Sequence, residues 1–377
     1  RKSPFVARRL DYVLTSGSLF EKTTECSIVS IADTDHRGCY LLLTFAEITK
    51  GPSYWKFNNS LLEDIDFVRE MNTVIDDYKQ QLTPDDDILV KWDLLKIKIK
   101  EFSVDYSKTK SNRNRNALLQ LYNELNDLDV ALGVNPHCVE TMQKREHAKL
   151  KIELQEQHRA RAAQVRSRAR WVEQGEKNTK YFLNLEKSHA NSKIMTTLLD
   201  ESGQLHEDQN KIMEIQKTYY TQLYNKRIDE KQMNDKINAF LGDTHTPKLT
   251  ENQKESCEGI ILYKEIQVAL KEMKNGSAPG IDGITIEFIK MFWSHLGEFM
   301  TQTFNVAYDT GKLSTTQCKA VITLIHKGKD LPRNQLKNWR PISLTNSDYK
   351  LLAKCLAIRL SGVIQSVVNE DQVGFVK

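Results

Sequence analysis

The stretches VITLIHKGKD (321–330) and NWRPISLTNSDYKLLAKCLAIRL (338–360) decide the fold class of this chain. The first begins with a β-branched, apolar run that predicts a strand, and its HKGK forms a polar, basic connection. In the second, RPISLT (340–345) is the predicted partner strand, and a helix over 348–367 follows with Ser347 as its N-cap. A hairpin that alternates with helices predicts an α+β arrangement.

The segment before this hairpin is predicted to contain two helices around a loop. One helical pattern ends at Asn275–Gly276, and another over 285–310 is punctuated by Gly297 and stopped by Gly311. Between them, SAPGIDGI (277–284) is a Gly/Pro-rich loop. It is not a Walker loop, because no GK[ST] follows it. Composition alone therefore indicates only a turn between helices.

Residues 58–190 are predicted to be mostly helical. Apolar residues recur at three- and four-residue spacing over 61–78, and TPDDD (83–87) interrupts this pattern. Two further apolar stripes begin at Trp92 and at Leu118. The chain as a whole is therefore predicted to be α+β and predominantly helical, with a long helical linker in its middle.

The N-terminal segment is predicted to contain strands. RRLDYVLTS (8–16) and CYLLLTF (39–45) have β-type composition, and the turn-rich DTDHRG lies between them. Two or three strands cannot cover both faces of a sheet, so this segment is interpreted as the end of a domain and not as a domain.

Three polar residues at the ends of these strands have the chemistry of a phosphodiesterase. A neutral His36 could take a proton from water near pH 7, Asp11 could orient its ring, and Asp35 could help to hold a divalent ion. Isolated Asp and His residues in turns are more often structural or solvated, and the residues alone leave this alternative open.

Positive charge is unevenly distributed along the 377 residues. The formal net charge is only +4, yet Lys and Arg concentrate in 144–193 and 312–337. Such clusters favour nucleic acid or an acidic membrane surface as a partner, with a solvated helix face as the alternative. The six cysteines show no CxxC and no Cys/His ligand spacing, which argues against a zinc site or a disulfide framework and favours a reducing compartment. No apolar run approaches the about 20 residues of a membrane span.

One basic stretch combines charge with aromatic rings. Guanidinium groups pair with phosphates and aromatic rings stack on unpaired bases. A nucleic-acid contact is therefore predicted for Arg166, Arg168, Arg170, Trp171, Lys177 and Lys180. The alternative is a charged helix whose aromatic residues form a buried stripe.

The predicted hairpin could bind polyphosphate. Lys327 and Lys329 lie in its connection and Arg340 lies on the returning strand. Lysine as a point charge and arginine as a fork can make charge-assisted hydrogen bonds to phosphate oxygens. A surface hairpin without a ligand is the alternative.

Several motifs resemble LINE-type (non-LTR) retrotransposon polyproteins, in the order expected for that family. RLDYVLTSGSL (9–19) and TDH (34–36) resemble the end of the apurinic-endonuclease-like domain, with Thr34 in place of the usual Ser. RSRARWVEQGEKNTKYFLNLEK (166–187) is similar, nearly residue for residue, to the segment before the polymerase. The first reverse-transcriptase motifs are matched in order by KNGSAPGIDGI (274–284), the two stretches quoted first, and NEDQVGFVK (369–377).

The resemblance implies a division of the chain into four regions. These are the C-terminal strands of an endonuclease/exonuclease/phosphatase-like sandwich (1–48), a helical linker that is basic toward its end (49–190), a connecting helical region (191–258) and the N-terminal part of a reverse-transcriptase domain with its fingers and part of its palm (259–377).

The resemblance also implies roles for single residues. His36 would be the general base and Asp11 its orienting partner in the endonuclease, with Asp35 near the metal of an incomplete site. Lys327 or Lys329 and Arg340 would contact the incoming nucleotide, while Asp282 would approach the template.

The implied parent activity is target-primed reverse transcription, with Mg²⁺ as cofactor and RNA and DNA as partners. The catalytic aspartates of that polymerase are expected downstream of residue 377, and the other endonuclease ligands upstream of Arg1. The chain alone is thus expected to be inactive and to bind no cofactor tightly. The alternative functions are a non-catalytic nucleic-acid-binding protein derived from the element and an inert helical scaffold. The expected location is nuclear and/or cytoplasmic without membrane contact, and the sequence does not indicate an oligomeric state.

Overall fold

A computed structural model of the chain describes residues 12–30, 37–44, 54–167, 195–225, 230–241, 247–328 and 330–368. These residues are predominantly helical, and their strands form short two-stranded antiparallel sheets. The predicted α+β class with a helical majority is therefore confirmed.

The chain forms two compact units, one made of 1–52 with 108–194 and the other of 53–107 with 195–377. The boundary falls inside a single 47-residue helix, α3 in the numbering used below. The 49–190 segment that was predicted as a linker is therefore shared between both units. Residues 53–107 belong to the same unit as residues 195–377.

The first unit contains a short helix, α1 (Gly17–Phe20), and the strands β1 (Thr23–Ser30) and β2 (Arg37–Leu43). The two strands pair antiparallel, from Thr23 opposite Leu43 to Ser30 opposite Arg37. The strand predicted at 39–45 is confirmed by β2. The strand predicted at 8–16 is wrong over its described residues 12–16, because β1 supplies the hydrogen-bonded partner that a strand requires.

The same unit contains the second part of α3 (Ile88–Val134) and α4 (Val139–Ser167). Leu118 and Leu125 of α3 pack with Ile152 of α4, which confirms the apolar stripe predicted from Leu118 onward. Arg145 of α4 forms an ion pair with Asp129 of α3 at 2.6 Å.

The second unit begins with α2 (Ile65–Gln80) and the first part of α3. The predicted interruption at 83–87 is confirmed, because Asp87 accepts hydrogen bonds from the backbone N–H groups of Leu89 and Val90 where α3 starts. The apolar stripes of the two helices share one buried cluster that includes Phe67, Met71, Ile75, Trp92, Leu95 and Ile99.

Five further elements of this unit precede its C-terminal part in the sequence. They are β3 (Leu198–Leu199), β4 (Leu205–His206), α5 (Gln209–Tyr224), α6 (Glu230–Leu241) and α7 (Glu251–Cys257). Leu198, Ile212 and Tyr220 form a second buried cluster with Leu336. This cluster supports one face of the hairpin described below.

The large cluster is completed by α8 (Tyr263–Glu272), α9 (Ile286–Met291) and α10 (Trp293–Thr310). The prediction that Gly297 punctuates this region is wrong. The helices separate at Phe292, and Gly297 lies inside α10, where a Cβ atom would meet the Tyr263 ring at 2.5 Å. Gly297 therefore permits close packing of α10 on α8. Gly311, with φ 66°, ends α10 as predicted.

The predicted hairpin is confirmed as β5 (Ala320–His326) and β6 (Trp339–Thr345), followed by α11 (Ser347–Ser361). Two details differ from the prediction. Asn346 occupies the N-cap position, because the Ser347 hydroxyl donates to the carbonyl of Ile284 at 2.6 Å. The helix ends at Ser361 rather than at residue 367.

No helix in the described parts of the chain combines the length and the apolar character that crossing a membrane would need.

Candidate functional site

Arg340 and Lys327 lie exposed on the β5–β6 hairpin. The register places Arg340 directly opposite Ile325, so both side chains project from the same face. Lys327 follows β5, and its Nζ donates to the carbonyl of Lys337 at 2.6 Å, which holds it over the connection. Lys329, the third predicted nucleotide-binding residue, lies outside the described residues.

The two faces of the hairpin differ in their surroundings. On one face, Leu324 packs against the second buried cluster and Trp339 is buried. On the other face, Ile325 is 52% exposed and Ile342 is 39% exposed beside Arg340. An exposed strand face with aliphatic side chains and a guanidinium group can contact both a base and a phosphate.

The connection between the strands is held by side-chain hydrogen bonds. Asn338 donates to the carbonyl of Pro332, and the Trp339 indole donates to the carbonyl of Arg333, each at 2.8 Å. The Arg333 guanidinium also lies 6.0 Å from the centre of the Trp339 ring. These contacts give the basic connection a defined shape.

The Gly280–Gly283 loop packs directly on the end of β6. A Cβ atom on Gly280 would lie 2.1 Å from Oδ1 of Asn346, so only glycine allows this approach. The backbone N–H of Gly283 donates to the carbonyl of Gly280, and the N–H of Phe57 donates to the carbonyl of Gly283. Segment 54–57 therefore covers the loop.

A buried charged cluster lies beneath this loop. Lys96 of α3 is 3% exposed, and its ammonium group lies 2.9 Å from Asp348, 3.1 Å from Asp93 and 3.7 Å from Asp282. It also donates to the hydroxyl of Thr316. The ammonium group of Lys96 is thus the shared counter-ion of three carboxylates that have little access to solvent.

The surroundings shift the pKa values of these groups in different directions. Burial alone would lower the pKa of Lys96, but the three carboxylates outweigh it, so the pKa is raised. Burial would raise the pKa of Asp93, but hydrogen bonds from Thr316 and the charge of Lys96 lower it. Burial and the neighbouring Asp348 raise the pKa of Asp282 to about 7, against the partial opposition of Lys96.

The expectation that Asp282 approaches the template is therefore wrong for this structure. Its carboxylate is 5% exposed and faces Lys96, with one oxygen accepting from the backbone N–H of Ile284 at 3.1 Å. Its role here is to join the loop to α3.

Replacing Asp282 by asparagine is expected to stabilise the protein at pH 8 and to have little effect near pH 4.5. Because the folded-state pKa of Asp282 is raised above its ordinary 3.8, its contribution to stability falls as pH rises toward about 7 and is constant above it. The size of this pKa shift sets an upper bound of about 4 kcal/mol on the stability that the variant gains at pH 8. Relaxation of the site is expected to reduce this gain to about 1–2 kcal/mol.

Urea unfolding at the two pH values measures this difference. Asp309→Asn, at an exposed position on α10, is the control for the same change of side chain outside the buried cluster. An Asp282→Asn variant that loses the same stability at pH 8 as at pH 4.5 would contradict the assignment of a raised pKa.

Sequence reasoning missed Lys96, Asp93 and Asp348. One signal was available, because Lys96 lies four residues after Trp92 and three before Ile99, on the stripe that faces the core. A lysine on an apolar stripe requires a buried partner. Nothing local identifies that partner, since Asp348 is 252 residues away.

The remaining predicted site residues lie where the structure gives no side-chain description. These are Asp11, Asp35, His36, Arg166, Arg168, Arg170, Trp171, Lys177 and Lys180. Among the residues that are described, no group of three or more His, Cys, Asp or Glu side chains has a metal-binding arrangement. The three carboxylates of the buried cluster surround the ammonium of Lys96 instead.

The comparison with known proteins finds similarity to a transposon protein over nearly the whole chain. The chain is 30% identical over 371 residues to the transposon TX1 uncharacterized 149 kDa protein of Xenopus laevis. The match includes 97% of this chain but only 27% of the relative's length. No protein-family model matches the chain.

Proposed function

We propose that this chain is part of a retrotransposon endonuclease and RNA-directed DNA polymerase whose parent activity is target-primed reverse transcription. In this proposal, the segment from 259 onward forms the front of the polymerase domain. The observation that carries the proposal is the exposed face of the β5–β6 hairpin, which presents Arg340 beside Ile325 and Ile342.

The chemistry of this face suits single-stranded RNA or a nucleotide. Arg340 can form a forked pair of hydrogen bonds with phosphate, and Lys327 adds a positive charge at the end of the same strand pair. The aliphatic side chains offer contact area for a base without selecting its sequence. Arg333 and Lys337 extend the positive charge along the connection.

The other proposed contacts rest on sequence alone. The stretch from Arg166 to Lys180 is proposed as a second contact for RNA or DNA. Asp11 and His36 are proposed as the base and its orienting partner in the endonuclease, and Asp35 as a ligand of its Mg²⁺. A non-catalytic nucleic-acid-binding protein would use the same hairpin, so the first test concerns binding.

Replacing Arg340 by alanine is expected to weaken binding of single-stranded RNA and to reduce its salt dependence. Each lost phosphate contact lowers the slope of log K against log salt by about 0.7 for a single strand. Titrations of a fluorescent RNA at several salt concentrations measure this slope.

Arg69→Ala is the matched control, because Arg69 is exposed on α2 and already paired with Asp66 at 2.7 Å. Its slope should equal that of the wild-type chain. An unchanged slope in the Arg340→Ala variant, with its fold intact by circular dichroism, would remove the hairpin from the binding site.

A further inference from the structure

The buried charged residues of α3 contact the segment that leads into β5 of the hairpin. Asp93 accepts hydrogen bonds from the backbone N–H of Thr316 at 3.0 Å and from the hydroxyl of Ser314 at 2.9 Å. Thr316 lies four residues before β5 begins at Ala320. This side of the hairpin is therefore tied to α3.

The segment that follows β6 is tied to the same turn of α3. Asp348, three residues after β6 ends, accepts from the Trp92 indole at 2.7 Å and from Lys96 at 2.9 Å. The side chain of Asn346 donates to the carbonyl of Thr316 at 2.8 Å, which joins the two sides directly.

The Gly280–Gly283 loop is the third part of this arrangement. The backbone N–H of Asp282 donates to Oδ1 of Asn346 at 3.4 Å, and the Asp282 carboxylate lies 3.7 Å from Lys96. Lys96 thus contacts carboxylates or hydroxyls of both sides of the hairpin and of the loop.

We propose that Lys96 is a positioning residue, which holds both ends of the β5–β6 hairpin and the Gly280–Gly283 loop in a single arrangement, so that Arg340 and Lys327 meet phosphate in a fixed geometry. This inference rests on the proposed function of the hairpin. In this inference, the first part of α3 belongs to the front of the polymerase domain and is not a linker.

The energetics favour positioning over simple stabilisation. A buried ion pair is often no more stabilising than well-packed apolar side chains of the same volume, because each charge loses its hydration. The hydrogen bonds that Lys96 donates to Asp348 and Thr316 are directional, and with its ion pair to Asp282 they favour one relative orientation of three separate backbone segments. Such a cluster adds little net stability, but it selects one relative placement of the loop and the two ends of the hairpin.

The test replaces the closest buried pair. Asp93 keeps its hydrogen bonds from Ser314 and Thr316, and Asp282, whose pKa is already raised to about 7, can take up a proton. Lys96→Met combined with Asp348→Asn removes the ion pair, and the asparagine oxygen can still accept from Trp92. Hydrogen exchange should become roughly tenfold faster in the amides of β5 and β6, while amides of α8 and α10 keep their protection. Affinity for a single-stranded RNA probe should fall about fivefold.

A role that is only structural would lower protection in all these elements together. An equal loss of protection in all these elements would overturn the inference. Unchanged protection of β5 and β6 together with unchanged RNA affinity would also overturn it. If the double variant does not fold, Asp93→Asn is used, because it weakens the tie to Thr316 and leaves the Lys96–Asp348 pair intact. Its expected result is again faster exchange confined to β5 and β6, and no change there would count against the proposal.

The Arg340→Ala titration separates this inference from the proposed function. Loss of RNA affinity in that variant supports the proposed function, whatever the Lys96 variants show. If Arg340→Ala leaves RNA affinity unchanged, the proposed function of the hairpin fails. The positioning role of Lys96 toward phosphate then fails with it, even when exchange shows that the ties to the hairpin exist.

Discussion

Replacing Lys96 alone by methionine is expected to lower the free energy of unfolding by about 3–5 kcal/mol at pH 8. The side chains have similar length, so the loss comes from charge rather than from volume. Asp348, Asp93 and Asp282 would remain in the interior without their shared cation. Chemical unfolding followed by circular dichroism measures the change.

The loss should become smaller as pH is lowered, because carboxylates without a cation take up protons in the folded state. Lys98→Met is the matched control, since Lys98 is exposed two residues further along α3. It should change stability by less than about 0.5 kcal/mol. Equal effects of the two substitutions would mean that Lys96 is not the counter-ion of a buried cluster.

Local patterns predicted the elements of this fold well where each signal is carried by neighbouring residues. The β5–β6 hairpin, the interruption at 83–87 and the end of α10 at Gly311 were all predicted from spacing and turn residues. The interruption and the helix end depend on interactions within about four residues, and each strand of the hairpin is marked by its own run of apolar and β-branched residues, so the sequence displays all three signals directly.

The misinterpretations concern contacts between residues that are distant in the chain. Gly297 was predicted as a break, although a helix interior accepts glycine when another helix approaches closely, as Tyr263 does here. Ser347 was predicted as an N-cap, but its hydroxyl donates to the backbone carbonyl of Ile284. In both cases, the deciding partner lies on another element.

The candidate site divides in the same way. Arg340 and Lys327 could be identified because a basic hairpin is a local feature. The residues beneath them could not, since the cluster combines α3, the Gly280–Gly283 loop and the start of α11. Asp282 was consequently predicted to face a template, whereas its burial against Lys96 follows only from the packing of α3.

Replacing Gly283 by alanine is expected to destabilise the protein by about 2–5 kcal/mol, more than the same change at Gly276. Both glycines have positive φ, 71° and 76°, so both variants incur the cost of about 1–2 kcal/mol for an L-residue in the left-handed region. They differ in space, because a Cβ atom at Gly276 meets nothing within 4 Å.

At Gly283, the same atom would lie 2.3 Å from the carbonyl oxygen of Trp55 and 2.4 Å from its ring. The backbone at Trp55 must then move, which weakens the hydrogen bond from Phe57 to Gly283 and adds about 1–3 kcal/mol of overpacking. Thermal and urea unfolding of the two variants give the difference directly. If Gly283→Ala costs no more than Gly276→Ala, segment 54–57 does not cover the loop. A clear excess at Gly283 would show that residues before α2 help to hold the loop against β6, as Lys96 does from α3.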